Sequence, residues 1–122
     1  FIHKKRKNIY NTYEKFLRKL LVHQKIKGMN LKLKSNYHMK YILLKKKSER
    51  DRLKLFLNKR MINCVSHYEP LHLSKIGVKI NSSKLKNSKN FSERILRLPM
   101  HINITKKDII YICTNIENFF KI

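Results

Sequence analysis

Ile62-Asn-Cys-Val-Ser-His-Tyr-Glu-Pro-Leu-His72 passes from a short apolar run into two histidines and a tyrosine set around a proline. Ile62 to Ser66 reads as a strand. Pro70, which has no amide hydrogen and a fixed φ, limits how far that strand extends. A strand that gives way to a bent polar segment is where α/β folds place the groups that touch ligands. His67, Tyr68 and His72 are therefore the first candidates for a site. Downstream, Ser92-Glu-Arg-Ile-Leu-Arg-Leu-Pro-Met-His101 is a second apolar run closed by a proline.

Working outward, the residues before Ile62 carry a helical pattern. Leu53, Phe56, Leu57 and Met61 form a stripe, and Ser48-Glu-Arg-Asp51 has the form of a capping box, which predicts a helix from Glu49 to about Arg60. Tyr37 to Lys45, rich in aromatic and branched residues, reads as a strand. Ile9, Tyr10, Tyr13, Phe16, Leu17, Leu20 and Leu21 share one face of a helix from about Lys5 to Val22, and Gly28 punctuates the segment after that helix. Beyond His72, the stretch from Leu73 to Asn90 is mostly Ser, Lys and Asn and predicts a long loop. A short helix from Phe91 to Leu96 and a short extra strand near Ile95 to Leu98 come next. Thr105-Lys-Lys-Asp108 is a second capping box, and it opens a final helix with Ile109, Ile112, Cys113, Ile116 and Phe120 on one side. This order predicts one small α/β (α+β) sandwich, helices packed on a small sheet, whose first two strands are joined through a helix and can run parallel. A length of 122 residues fits a single domain.

The chain has 30 Lys and Arg against 7 Asp and Glu, a formal net charge of +23. Of the basic residues 23 are Lys, and there is no Ala or Trp, a bias that points to AT-rich codon supply as part of the charge's origin. Such a chain should attract nucleic acid in a salt-sensitive way. Its lysines are spread evenly, however, without the Arg clusters and interleaved aromatics of a surface selected for phosphates and bases. At 42% apolar content in periodic groups, the chain is expected to fold. Cys64 and Cys113 form no Cys-x-x-Cys pair, so neither a zinc ribbon nor a disulfide framework is indicated, and a reducing, cytoplasmic setting is expected. His67-x-Glu69-x-x-His72 offers three metal ligands, but Pro70 breaks the helix that a zinc-helix motif needs. No apolar run reaches the roughly 18 to 20 residues that span a bilayer. The sequence opens at Phe1 and its earliest methionine is Met29, as expected of a fragment, a processed product or an interrupted reading frame.

Taken in chain order, Lys5-Arg6 with Tyr13, Asn36-Tyr-His-Met-Lys-Tyr-Ile42, Asp51-Arg52, His67-Tyr-Glu-Pro-Leu-His72 and Leu96-Arg-Leu-Pro-Met100 form a series. The series resembles the C-terminal part of the DegT/StrS family of pyridoxal-phosphate-dependent sugar aminotransferases. Within that family, the Asn36 to Ile42 and Ser92 to Pro99 segments look most like the branch that aminates dTDP-4-oxo-6-deoxy-glucose to dTDP-4-amino-4,6-dideoxygalactose for surface-glycan assembly. Glu69 stands where the family has an apolar residue, and Lys40 stands where the matching branch has an aromatic.

The resemblance implies that residues 1–122 are the small C-terminal domain of the type I pyridoxal-phosphate transferase fold, with the large cofactor-binding domain absent. It implies pyridoxal phosphate as cofactor of the complete enzyme, a dTDP-hexose and glutamate as small-molecule partners, and a homodimer. His67, Tyr68, His72 and His38 would line the edge of the substrate and cofactor site, and no catalytic residue is assigned. The chain alone is expected not to transaminate, because no lysine here can be assigned to the Schiff base. For Tyr68 and His72 the structural alternative is packing against the final helix, and for Arg97 it is full solvation. Two other readings compete. One is a basic RNA-binding or ribosome-associated protein. The other is a nonfunctional relic, parted from its large domain and exposing the apolar face of its first helix.

Overall fold

A computed structural model of the chain describes residues 1–28, 35–80 and 85–122. Helix α1 (Ile2–Val22) buries Ile9, Tyr10, Tyr13, Leu17 and Leu20 along one stripe and turns its lysines to solvent. That stripe packs on α5 (Lys106–Phe120), whose Ile109, Ile112, Cys113 and Ile116 are buried in return. The Tyr13 hydroxyl donates to the Pro99 carbonyl at 2.7 Å and pins α1 to the segment before α5. The apolar face of the first helix is thus covered from within the chain, and the expectation that it lies exposed is corrected.

The sheet is a two-stranded antiparallel pair, β1 (Lys40–Leu43) with β2 (Ile95–Leu98), in the register Lys40↔Leu98, Tyr41↔Arg97, Ile42↔Leu96 and Leu43↔Ile95. The segment expected to pair in parallel with β1, Ile62 to Ser66, instead makes one antiparallel bridge, Val65↔Arg97, on the far side of β2. Its backbone is engaged elsewhere. The Ile62 N–H donates to Leu57 O at 3.0 Å and the Cys64 N–H to Asn58 Oδ1 at 3.4 Å, which leaves Val65 to reach the sheet. A bridge from Lys27 to Leu43 borders β1 on its other edge. Lys40, Ile42, Leu96 and Leu98 face a core completed by α1, α5 and Leu53 and Leu57 of α2 (Lys47–Asn58). The fold class expected from the element order, helices on a small sheet, is the one observed.

The two proposed capping boxes fare differently. At α5 the Asp108 N–H donates to Thr105 Oγ1 at 3.2 Å while the Thr105 N–H donates to Asp108 Oδ2 at 2.8 Å, the full reciprocal box. At α2 the helix starts at Lys47, so Ser48 lies inside it and caps nothing; Glu49 reaches back to accept from the Lys45 N–H at 3.0 Å.

The long loop expected over Leu73 to Asn90 is corrected where it is described. A 3-10 turn (Leu71–Leu73), α3 (Gly77–Ile80) and α4 (Lys86–Arg94) occupy most of it, while residues 81–84 lie outside the described residues. Ser74 organises the turn: its hydroxyl donates to Leu71 O at 2.7 Å and accepts from the Gly77 N–H at 3.0 Å. A Cβ at position 77 would lie 1.7 Å from the Leu71 carbonyl oxygen, so the approach requires glycine. Helix α4 begins five residues earlier than expected and ends where Arg94 Nε donates to Leu44 O at 2.7 Å. Among the described residues no helix is long and apolar enough to cross a membrane.

Candidate functional site

Alternation along β2 sends Leu96 and Leu98 inward and Arg97 outward, and the register sets Tyr41 opposite Arg97 on the outer face. The Val65 bridge brings the following residues beside that face, where the Arg97 guanidinium lies over the Tyr68 ring, 5.7 Å from its centroid. His67 stacks on Tyr68 with centroids 5.2 Å apart. Phe91 of α4 meets Tyr41 edge-on at 5.7 Å and walls the other side. Between these walls is a depression of about 380 Å³, lined by His67, Tyr68, Glu69, Pro70 and Phe91 among others.

His72 lies next door, in an open depression of about 490 Å³ with Leu71, Gly77 and Ile80. The structure therefore brings His67 and Tyr68 together, sets His72 adjacent to them, and leaves His38 apart. His38 is exposed, lines neither depression, and its Nδ1 contacts Asn36 Oδ1. Tyr68 is 77% exposed, which removes the alternative of packing against the final helix. Arg97 is half-buried and held over Tyr68 rather than fully solvated. Glu69 is exposed beside His67. Among the described residues no group of three His, Cys, Asp or Glu could hold a metal ion, so His67, Glu69 and His72 do not form a metal site.

Sequence reasoning set Arg97 aside and did not name Tyr41 or Phe91. All three depend on which segments pair, and the Tyr41–Arg97 juxtaposition follows only from the β1–β2 register.

The position marked as out of place in β1 proves to be buried. Lys40 is 1% exposed, its ammonium pairs with Glu14 of α1 and lies over the Tyr10 ring at 4.2 Å. Burial lowers the Lys40 pKa and the Glu14 carboxylate opposes that shift. Burial, with the nearby Glu14 charge and its side-chain carboxylate contact, raises the pKa of Tyr10. Lys40 is the one fully buried lysine among the described residues, and its nitrogen is committed to this pair with no depression at it among those described. A Schiff-base lysine needs a free, accessible amine of lowered pKa. Lys40 does not meet that requirement, so no step through pyridoxal phosphate is assigned to it.

Comparison with known proteins places the fold. The family model described as the DegT/DnrJ/EryC1/StrS aminotransferase family matches residues 1–117. No curated protein sequence matches the chain. Among solved structures, the chain is similar to the aminotransferase PseC of Helicobacter pylori, which is involved in the biosynthesis of pseudoaminic acid, at 23% identity and TM-score 0.86 over 99% of this chain and 33% of that one. A DegT DnrJ EryC1 StrS aminotransferase from Brucella abortus is 26% identical, with TM-score 0.79 over 97% of this chain and 31% of that one. The candidate sugar aminotransferase Spr1654 of Streptococcus pneumoniae, solved in its PLP form, is 20% identical, with TM-score 0.83 over 98% of this chain and 31% of that one. The chain spans about a third of the length of these structures. With a family match across nearly all its residues, the chain belongs to the DegT/DnrJ/EryC1/StrS aminotransferase family.

Proposed function

We propose that residues 1–122 are the C-terminal small domain of a pyridoxal-phosphate-dependent sugar-nucleotide aminotransferase, and that the cofactor-binding domain is a separate unit. The observation that carries this reading is the family match over residues 1–117, beside similar solved structures of which the chain spans about a third. In the complete enzyme the amino group of glutamate is transferred to the C4 ketone of a dTDP-4-oxo-6-deoxy-hexose, giving 2-oxoglutarate and the 4-amino sugar nucleotide. The enzyme acts in the cytoplasm as a homodimer. Binding of nucleic acid by the basic surface is nonspecific and lost with salt.

The role of this chain is to supply one wall of the site. Tyr68 presents an exposed aromatic face backed by the Arg97 cation, and Arg97 gives the wall the positive charge that a nucleotide diphosphate requires. His67 and His72 add imidazole donors on the same side, and His38 supports the edge from outside the two depressions.

The test uses the complete enzyme with glutamate and the 4-oxo sugar nucleotide. Tyr68→Ala and His72→Ala should each raise KM for the sugar nucleotide by about tenfold with kcat changed less than threefold, the signature of lost binding shared by ground state and transition state. Arg97→Met should do the same and lower the dependence of KM on ionic strength. A complete enzyme that does not aminate any oxo sugar nucleotide would end this reading, as would turnover by residues 1–122 alone with pyridoxal phosphate added.

A further inference from the structure

Of the three residues in the 3-10 turn Leu71–Leu73, Leu71 and Leu73 are exposed and His72 alone is half-buried. His72 shares a depression with Leu71, Gly77 and Ile80, so the closure of the turn sets where its imidazole lies. A turn this short holds itself poorly. The Leu73 N–H donates to Pro70 O at 2.8 Å and the Ser74 N–H to Leu71 O at 3.2 Å, in a geometry weaker than that of an α-helix.

Ser74 supplies what the turn lacks. Its hydroxyl donates to Leu71 O at 2.7 Å, which closes the turn a second time across His72. The same oxygen accepts from the Gly77 N–H at 3.0 Å, the contact that a capping serine makes with the amide three residues on. The Ser74 carbonyl accepts from the Val78 N–H at 3.0 Å, so one residue joins the turn to α3. The join is tight, since a Cβ at position 77 would lie 1.7 Å from Leu71 O, and Leu71 and Gly77 both line the depression that holds His72. Ser74 itself lines neither that depression nor the one beside Tyr68, and its hydroxyl is engaged by two backbone partners.

We propose that Ser74 is a positioning residue: it holds the His72 imidazole at the edge of the sugar-nucleotide site by fixing the turn that carries it, and it does not touch the ligand. This rests on the aminotransferase reading above, in which His72 belongs to the wall. Without the hydroxyl, the Gly77 N–H loses this acceptor and Leu71 O keeps one of these two bonds. The turn then opens part of the time, and His72 is placed for the ligand only while it is closed. Apparent affinity falls by the closed fraction, so a turn closed about one-third of the time raises KM about threefold.

A double-mutant cycle in the complete enzyme tests this, with glutamate and dTDP-4-oxo-6-deoxy-glucose as substrates. Ser74→Ala should raise KM for the sugar nucleotide about threefold to fivefold with kcat changed less than about twofold, and Ser74→Thr, which keeps the hydroxyl, should stay within about twofold of the parent. In a His72→Ala background the further change from Ser74→Ala should be less than about 1.5-fold, whereas in a Tyr68→Ala background the full effect should remain. A residue that only steadied the fold would act alike in both backgrounds. Gly77→Ala opens the same closure from the other side and should repeat the pattern, so the outcome does not depend on one variant. Positioning alone is overturned, and the wall stands, if His72→Ala raises KM while Ser74→Ala leaves it unchanged, or if Ser74→Ala keeps its full effect in the His72→Ala background. An unchanged KM in His72→Ala removes that residue from the wall and overturns the positioning with it. An enzyme that aminates no oxo sugar nucleotide overturns both.

Discussion

Lys40 and Glu14 form a buried pair whose two members are not equivalent, and substituting them singly should show it. The Lys40 side chain is 1% exposed, whereas Glu14 keeps 31% of its side-chain surface in contact with solvent. At an effective dielectric constant of about 20 and a separation of about 4 Å, the attraction is about 4 kcal/mol, while removing an ammonium from water costs several kcal/mol. The two contributions nearly cancel in the intact pair. Glu14→Gln leaves a buried ammonium without its counterion and should destabilise the fold by about 3 kcal/mol. Lys40→Met fills the same space with an apolar chain and leaves a carboxylate that water still reaches, so it should change stability by less than about 1 kcal/mol or raise it. The double variant should match Lys40→Met. Urea unfolding at pH 7, followed by circular dichroism, reads these differences as shifts in midpoint at constant slope. The pH dependence supplies a second check. Because the folded-state pKa of Lys40 lies below its usual 10.5, the unfolded chain binds the extra proton between those two values. Stability should therefore rise with pH as the folded pKa is passed, and this increment should be missing from Lys40→Met. Equal losses from Lys40→Met and Glu14→Gln, or an identical alkaline profile for both proteins, would refute the argument.

Thr105→Ala removes half of the capping box of α5 and should cost about 1 kcal/mol in the same unfolding assay. Hydrogen bonds from Thr105 hold the Asp108 carboxyl below its usual 3.8, so the stability it contributes is present above that value and is lost as pH falls through the lower folded value; the variant should show a shallower acid limb. Gly77→Ala should disrupt the 3-10 turn and α3 at a local cost of about 1–3 kcal/mol, seen as faster hydrogen exchange at the Val78 N–H, which donates to Ser74 O, with the core amides of α5 unaffected. Burial pushes the thiols of Cys64 and Cys113 up to about 12, so neither should react with a disulfide reagent at pH 8 until the chain unfolds; a thiol labelled in seconds in native buffer would contradict the packing.

Helices α1 and α5 were legible because each carries an unbroken apolar stripe, and α5 a cap that no tertiary contact competes with. The sheet was less so. Ile62 to Ser66 and Ile95 to Leu98 are both short apolar runs, and periodicity does not say which of them pairs with β1. The choice is made by Leu57 and Asn58, which capture the backbone of the first run at the end of α2. The 3-10 turn and α3, between Leu71 and Ile80, were hidden for a different reason: a serine hydroxyl and a glycine organise them, which a polar composition does not announce. In the candidate site, the proline beside His67 and Tyr68 marked them, whereas Arg97 gains its place over Tyr68 only through register. Lys40 was visible as a misfit within a strand, but its partner lies 26 residues earlier on another element, a pairing that only the docking of α1 creates.

The packing of α1 on α5 has a consequence for the making of the protein. Helix α1 ends at Val22 and α5 begins at Lys106, so the stripe of Ile9, Tyr13, Leu17 and Leu20 leaves the ribosome about 80 residues before the surface that covers it. At about 5–20 residues per second that stripe stays open for roughly 4–16 s. Contacts this distant in sequence also slow folding once synthesis ends. The nascent chain therefore spends its most aggregation-prone interval with an amphipathic helix unpaired. A ribosome stalled before Lys106 would release a chain that has both strands and the earlier helices but lacks the helix on which α1 packs.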